Sequence, residues 1–123
     1  MSAGGGHSAA LIAETMAAVA HLPADRVRVT GDGPLARQLQ GRGLHADTAQ
    51  APLAVVETTG RGAGLTAACA AVADGGLVVL AADGPEPVDI DLYRDAHRRG
   101  LVMLGTSGHR APAPSGDDSL ARE

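Results

Sequence analysis

The order of apolar and polar positions along the chain predicts helices that alternate with strands. The first segment repeats apolar residues at spacings of three and four, which is typical of an amphipathic helix that begins at Ser8 and ends before Pro23. Apolar runs followed by glycine or polar residues predict four strands, RVRVT, LAVVE, LVVLAA and LVMLG. Helical patterns occupy PLARQLQG, AGLTAACAAVA and the residues from Leu92 to Arg99. Residues 44–48 fit either a short strand or a loop.

This alternation predicts a parallel sheet with helices on both faces, a three-layer α/β domain, because parallel strands need crossover connections. Ligands of such sheets bind beyond the carboxyl ends of the strands. We expect the domain to cover residues 8–110. The glycine-rich residues 1–7 predict a flexible leader, and residues 111–123, rich in Pro, Ser and Asp, predict a disordered tail.

The composition limits the classes of function. A chain of 123 residues fits one domain, and without Phe or Trp its core must consist of small aliphatic side chains. The net charge is −4 and the ten basic residues, all arginines, form no dense cluster, so we expect no nucleic-acid partner. The first apolar run is interrupted by Glu14 and has no basic leader. This argues against a signal peptide or membrane span and favours a cytoplasmic location.

A glycine turn lies between the first predicted strand and the next helix. Its residues, Gly31-Asp32-Gly33-Pro34-Leu35-Ala36, match the pattern G-x-G-x-x-[GA]. In that pattern the first glycine permits the turn, the second admits a pyrophosphate, and the small third residue lets the helix pack on the strand. The positive end of the helix dipole would also attract an anion. A tight strand-to-helix turn without a ligand is the alternative interpretation.

Three segments carry a resemblance to a known family: LPADRVRVTGDGPLARQL, LAVVETTG and AVADGGLVVLAADGPEPVDIDLYRDAHRRGLVMLGTSGHR. In this order they resemble the Rossmann coenzyme domain of medium-chain dehydrogenases, of the zinc alcohol dehydrogenase and threonine dehydrogenase kind. The resemblance implies a pyrophosphate turn at Gly31, Gly33, Pro34, Leu35 and Ala36. It also implies that Thr58, Thr59 and Gly60 lie near the nicotinamide, and that Asp83 lies at the cofactor crevice.

Two departures from the family pattern change this expectation. The substrate domain of the family, which holds the catalytic zinc, has no counterpart here, so we expect no zinc and no complete alcohol dehydrogenase. Only 20 residues separate Gly33 from Leu53, so about one strand-helix unit is missing. The acidic residue that binds the adenosine ribose normally follows the turn by about 20 positions, whereas Asp47 follows Gly33 by 14. NAD(P) binding is therefore expected to be weak or lost.

Glu57, Asp83 and His109 are the candidate catalytic residues, because each follows a predicted strand, where the crevice should lie. Glu57 comes after two apolar residues and could act as an acid or base, or cap neighbouring N–H groups. The five histidines show no helical pair spacing, so no metal site is expected. Cys69, in an alanine-rich helical pattern, predicts a buried thiol rather than a nucleophile.

These observations favour a stand-alone, degenerate Rossmann-like domain that binds a nucleotide-like or other small ligand, an oxidoreductase-derived component of a biosynthetic pathway. Two alternatives remain open. One is a non-catalytic accessory or interaction protein that has lost its cofactor, and the other is a cofactor-independent enzyme that uses the old crevice. A second protein would have to supply any substrate site. The family resemblance also implies a homodimer through the edge strand Leu101–Gly105.

Overall fold

The computed structural model describes residues 3–45, 47–82 and 87–108, with side chains from Ala9 onwards. Three α-helices, four strands and two short helical turns make up this part of the chain. In chain order they are α1 (Ala3–Val19), a 3₁₀ turn (Ala24–Arg26), β1 (Val27–Thr30), α2 (Pro34–Gly41), β2 (Ala54–Glu57), α3 (Gly62–Ala71), β3 (Leu77–Leu80), a π-helical turn (Tyr93–His97) and β4 (Val102–Gly105).

The four strands form one parallel sheet in the order β1-β2-β3-β4, which confirms the predicted α/β class. His45 pairs with Arg28 on the other side of β1, through hydrogen bonds that join His45 to Val27 and Val29. Among the described residues of the segment 44–48, this bridge is the only strand pairing. After β1 the chain first runs along the side of β1 that faces His45, and it then crosses to the opposite side, where β2 pairs with β1. This reversal makes the carboxyl end of β1 and β2 a topological switch point.

Helices cover both faces of the sheet and give three layers. On one face α1 and α2 pack on the strands through a core that includes Ile12, Leu39 and Val56. On the other face α3 packs through a smaller core that includes Cys69 and Val78. Neither core contains an aromatic residue, so valine, leucine and alanine fill the space. The fold is thus a small Rossmann-like domain, shorter by about one strand-helix unit than the six-strand order 3-2-1-4-5-6.

Two helices differ from their predicted bounds. Helix α1 begins at Ala3 rather than Ser8, so it includes five residues that were assigned to a flexible leader. Glycine disfavours a helix by about 1 kcal/mol per residue but still donates its N–H, so the helix can extend through a glycine run. The helix predicted from Leu92 to Arg99 is a π-helical turn, in which the Arg98 N–H bonds to the Tyr93 carbonyl. The predicted tail lies outside the described residues.

Arg99 ties the end of α3 to the segment before β4. Its Nε lies 2.7 Å from Asp74 Oδ1, and its two Nη atoms donate to the carbonyls of Cys69 and Val72. These carbonyls lie at the helix end, where no intrahelical N–H is available to them. Arg99 therefore closes the carboxyl end of α3.

We expect Arg99→Ala to lower the free energy of unfolding by about 1–2 kcal/mol, since bonds to a charged donor contribute roughly 1.5–3 kcal/mol and this side chain is partly exposed. Arg98→Ala is the matched control, because Arg98 is exposed and neighbouring in sequence. That control should change stability by less than about 0.5 kcal/mol. Urea unfolding followed by far-UV circular dichroism measures both, and equal losses in the two variants would contradict the capping role.

Candidate functional site

A cleft opens where β1 and β2 end side by side. Helix α2 leaves β1 toward one face of the sheet and α3 leaves β2 toward the other, so the space between the two helix starts stays open. The cleft has a volume of about 600 Å³. Its lining consists of Leu11, Gly31, Asp32, Gly33, Pro34, Leu35, Ala36, Gln38, Thr58, Thr59 and Arg61. It therefore lies at the switch point, where ligands of parallel sheets bind.

The glycine turn has a distinct structural requirement at each position of its pattern. Gly31 has φ +100°, and a Cβ there would clash with Thr58 Oγ1, so only glycine fits. Gly33 is the N-cap of α2 with φ −81°, and a Cβ there would meet no atom within 4 Å. Ala36 is fully buried between helix and sheet. The backbone at Gly33 thus borders open space, as a close approach to a ligand requires.

The start of α2 presents backbone donors to this cleft. The first intrahelical bond runs from the Arg37 N–H to the Gly33 carbonyl, so the N–H groups of Leu35 and Ala36 have no partner within the helix. Pro34 occupies the first turn and has no N–H to offer. Arg37 Nη1 donates to the Asp32 carbonyl at 2.6 Å and holds the turn from outside. Backbone donors and the helix dipole together favour an anion here.

Glu57 lies at the end of β2 with 3% of its surface exposed. Its Oε1 accepts hydrogen bonds from Thr30 Oγ1 at 2.9 Å, from Thr59 Oγ1 at 2.8 Å and from the Thr59 N–H at 3.1 Å. Its Oε2 accepts from the Gly60 N–H at 2.8 Å and from Thr59 Oγ1 at 3.0 Å. Glu57 is not among the residues that line the cleft. This geometry is that of a carboxylate that caps the turn after β2.

The predicted site residues divide into three groups. Those of the glycine turn line the cleft together with Thr58 and Thr59. Gly60 is buried beneath the cleft, where its N–H bonds to Glu57. Asp83 and His109 lie outside the described residues. The structure thus brings the glycine turn, Thr58 and Thr59 together at the cleft. Glu57 does not line the cleft and is hydrogen-bonded to Thr59 and Gly60.

Four residues of the cleft were not among the predicted site residues: Leu11, Asp32, Gln38 and Arg61. Arg61 is the N-cap of α3 and directly follows the ETTG segment, so a basic residue after a strand end was an available signal. Leu11 enters the cleft from α1, and this placement follows only from tertiary packing. Asp47, the candidate ribose acid, lies 3.5 Å from Arg28 and does not line the cleft. It belongs to the bridge region beside His45.

Cys69 is a buried thiol on α3, as its sequence context predicted. Burial raises the pKa of the Cys69 thiol, the nearby Asp95 adds to this rise, and Arg99 opposes it. A raised pKa keeps the sulfur protonated at neutral pH and makes it a poor nucleophile.

Within residues 3–45, 47–82 and 87–108, no group of three or more His, Cys, Asp or Glu side chains could hold a metal ion. In the same segments, no helix is long and apolar enough to span a bilayer.

The fold and the cleft define this chain as a Rossmann-like α/β domain with a glycine turn at its switch point. Comparisons with family models, with curated proteins and with solved structures find no match to the chain. The function of this chain is therefore inferred from its own residues and their geometry.

Proposed function

We propose that this chain is a shortened Rossmann-like binding domain, derived from a medium-chain dehydrogenase, that holds a phosphate-bearing small ligand at the Gly31–Ala36 turn. The observation that carries the proposal is the glycine turn itself, which opens directly on the cleft between the starts of α2 and α3. Free backbone donors of α2 lie at this point, and Arg61 at the start of α3 adds a positive charge across the cleft.

The cleft fits the phosphate part of a dinucleotide better than the rest of it. Gly31, Gly33 and Ala36 support a pyrophosphate position, but the acid that would bind the adenosine ribose is missing, since Asp47 is turned to Arg28. Pro34 removes one backbone donor, and the Asp32 carboxylate repels phosphates. A mononucleotide or phosphorylated metabolite suits these residues better than NAD(P), so we derive no hydride transfer from this site.

A cofactor-independent acid–base enzyme is less well supported. Glu57, its main candidate, has both oxygens engaged by Thr30, Thr59 and Gly60 and does not line the cleft. A general base needs to reach a substrate proton at hydrogen-bond distance. A binding domain that works with a second protein is consistent with this geometry, because the partner would then supply the reacting groups.

The test is a calorimetric titration of the purified chain with AMP, inorganic pyrophosphate, NADH and NADPH. We expect measurable binding of AMP, and a Kd for both dinucleotides well above the micromolar level, which corresponds to about −8.2 kcal/mol. We also expect no turnover of simple alcohols, because hydride transfer needs a nicotinamide cofactor held at contact distance from the alcohol, and we expect NAD(P) binding to be weak. A sub-micromolar Kd for NADH or NADPH would overturn the preference for shorter ligands, and a lack of heat with all four would overturn the binding function.

A further inference from the structure

Glu57 lies beneath the cleft without touching it, and its surroundings are built around a carboxylate. Three donors, Thr30 Oγ1 and the N–H groups of Thr59 and Gly60, point at it in addition to the Thr59 hydroxyl. The first turn of α3 packs against the same group at Gly64, where a Cβ would clash with Thr59 Oγ1 and Glu57 Oε1. The positive end of the α3 dipole adds to the stabilisation of a negative charge at this position.

Two consecutive hydrogen bonds of threonine side chains connect this carboxylate to the glycine turn. Thr30 donates its hydroxyl to Glu57 Oε1 at 2.9 Å, and its own carbonyl accepts from Thr58 Oγ1 at 2.5 Å. The same Thr58 oxygen lies where a side chain at Gly31 would have to go. The carboxyl end of β1 and the segment after β2 are thus held together by these two hydrogen bonds, and Glu57 accepts the first of them.

We propose that Glu57 is the positioning residue of this site. It fixes the backbone conformation of the Gly31–Ala36 turn through Thr30 and Thr58, without contacting the ligand. A neutral amide cannot replace it, because an NH₂ group would face N–H and O–H donors that need an acceptor. Only the statement that this turn holds a ligand rests on the proposed function. The conformational coupling between Glu57 and the turn stands on the contacts alone.

The coupling can be measured without any ligand, by ¹H–¹⁵N spectra and amide hydrogen exchange of Glu57→Gln. We expect shifted resonances at Gly31, Gly33 and Leu35, and exchange faster by about tenfold or more at the Arg37 amide, whose N–H bonds to the Gly33 carbonyl. Arg99→Ala is the control, because it loosens the other end of α3 and so lowers stability without reaching the turn. Changes confined to residues 57–60, with the turn unaltered, would overturn the proposal.

A second variant keeps the test decisive if Glu57→Gln does not fold. Thr58→Val has nearly the same shape and removes only the hydroxyl that donates to Thr30. We expect it to shift Gly31 and Gly33 while Glu57 keeps its own partners. Unchanged turn resonances in this variant would exclude transmission through Thr58.

AMP titration of the same variants separates this inference from the proposed function. We expect Glu57→Gln to bind AMP at least about tenfold more weakly than the unaltered chain, and Arg99→Ala to bind it equally well. If the unaltered chain binds no AMP, the proposed ligand is wrong, and the spectra still decide the coupling. If AMP binds Glu57→Gln with full affinity, Glu57 does not position the site.

Discussion

Gly33→Val is expected to weaken AMP binding by at least about tenfold while the chain stays folded. The backbone at Gly33 has φ −81°, which valine adopts without strain, and a Cβ there meets no protein atom within 4 Å. The added side chain would occupy the space through which a phosphate approaches the turn. Valine is a poorer N-cap than glycine, so we expect a stability loss of about 1 kcal/mol at most.

Gly41→Val provides the matched control. Gly41 is the last residue of the same helix, its Cβ would also meet open space, and it does not line the cleft. This variant should bind AMP like the unaltered chain. Circular dichroism establishes that both variants are folded, and calorimetry measures their affinities. If Gly33→Val keeps full affinity in a folded chain, the turn has a structural role only.

Most of the fold follows from local sequence signals. The runs LAVV and LVVL are apolar throughout because strands in the middle of a parallel sheet are covered on both faces, and β2 and β3 lie there. The predicted start of α1 was wrong, because the helix extends through a glycine run that has no apolar periodicity. The type of helix predicted around Tyr93–His97 was wrong, because a spacing of three to four between apolar residues does not distinguish an α-helix from a π-helical turn.

The site was predictable where its requirements are local. A positive φ at Gly31 and a buried contact at Ala36 restrict the residue type at each position, so the sequence carries the pattern. The role of Glu57 depends on Thr30, which is distant in the chain and adjacent only because β1 pairs with β2. Leu11 joins the cleft from α1 through packing in the same way. Such long-range neighbours leave no periodic signal in one sequence.

We propose that the chain forms a homodimer through the outer edge of β4. On its inner side β4 is hydrogen-bonded to β3, and among the described residues no strand pairs with its outer side. The strand sequence VMLG carries no charge and no proline, and 56% of the Val102 surface is exposed. An open apolar edge of this kind is a template for another strand. A two-fold axis would pair β4 with its copy and close the assembly as a dimer.

Val102→Lys is the variant that tests this interface. A lysine at an exposed edge position keeps its charge in water in the monomer, and a charged side chain on an edge strand disfavours pairing with a second strand. Met103 is less suitable, because it packs against the core on the α3 face and its replacement would damage the fold. We expect multi-angle light scattering at micromolar concentration to give a dimer for the unaltered chain and a monomer for Val102→Lys.

Leu92→Lys is the control for a general loss of apolar surface. Leu92 is exposed to 53%, close to the value for Val102, but precedes the π-helical turn and is not part of β4. Its replacement should leave the dimer intact, because Leu92 lies outside β4 and contributes no backbone group to the pairing of its edge with a second strand. A monomer mass for the unaltered chain would rule the dimer out. A dimer that survives Val102→Lys and dissociates in Leu92→Lys would assign the interface to the surface around Leu92 instead.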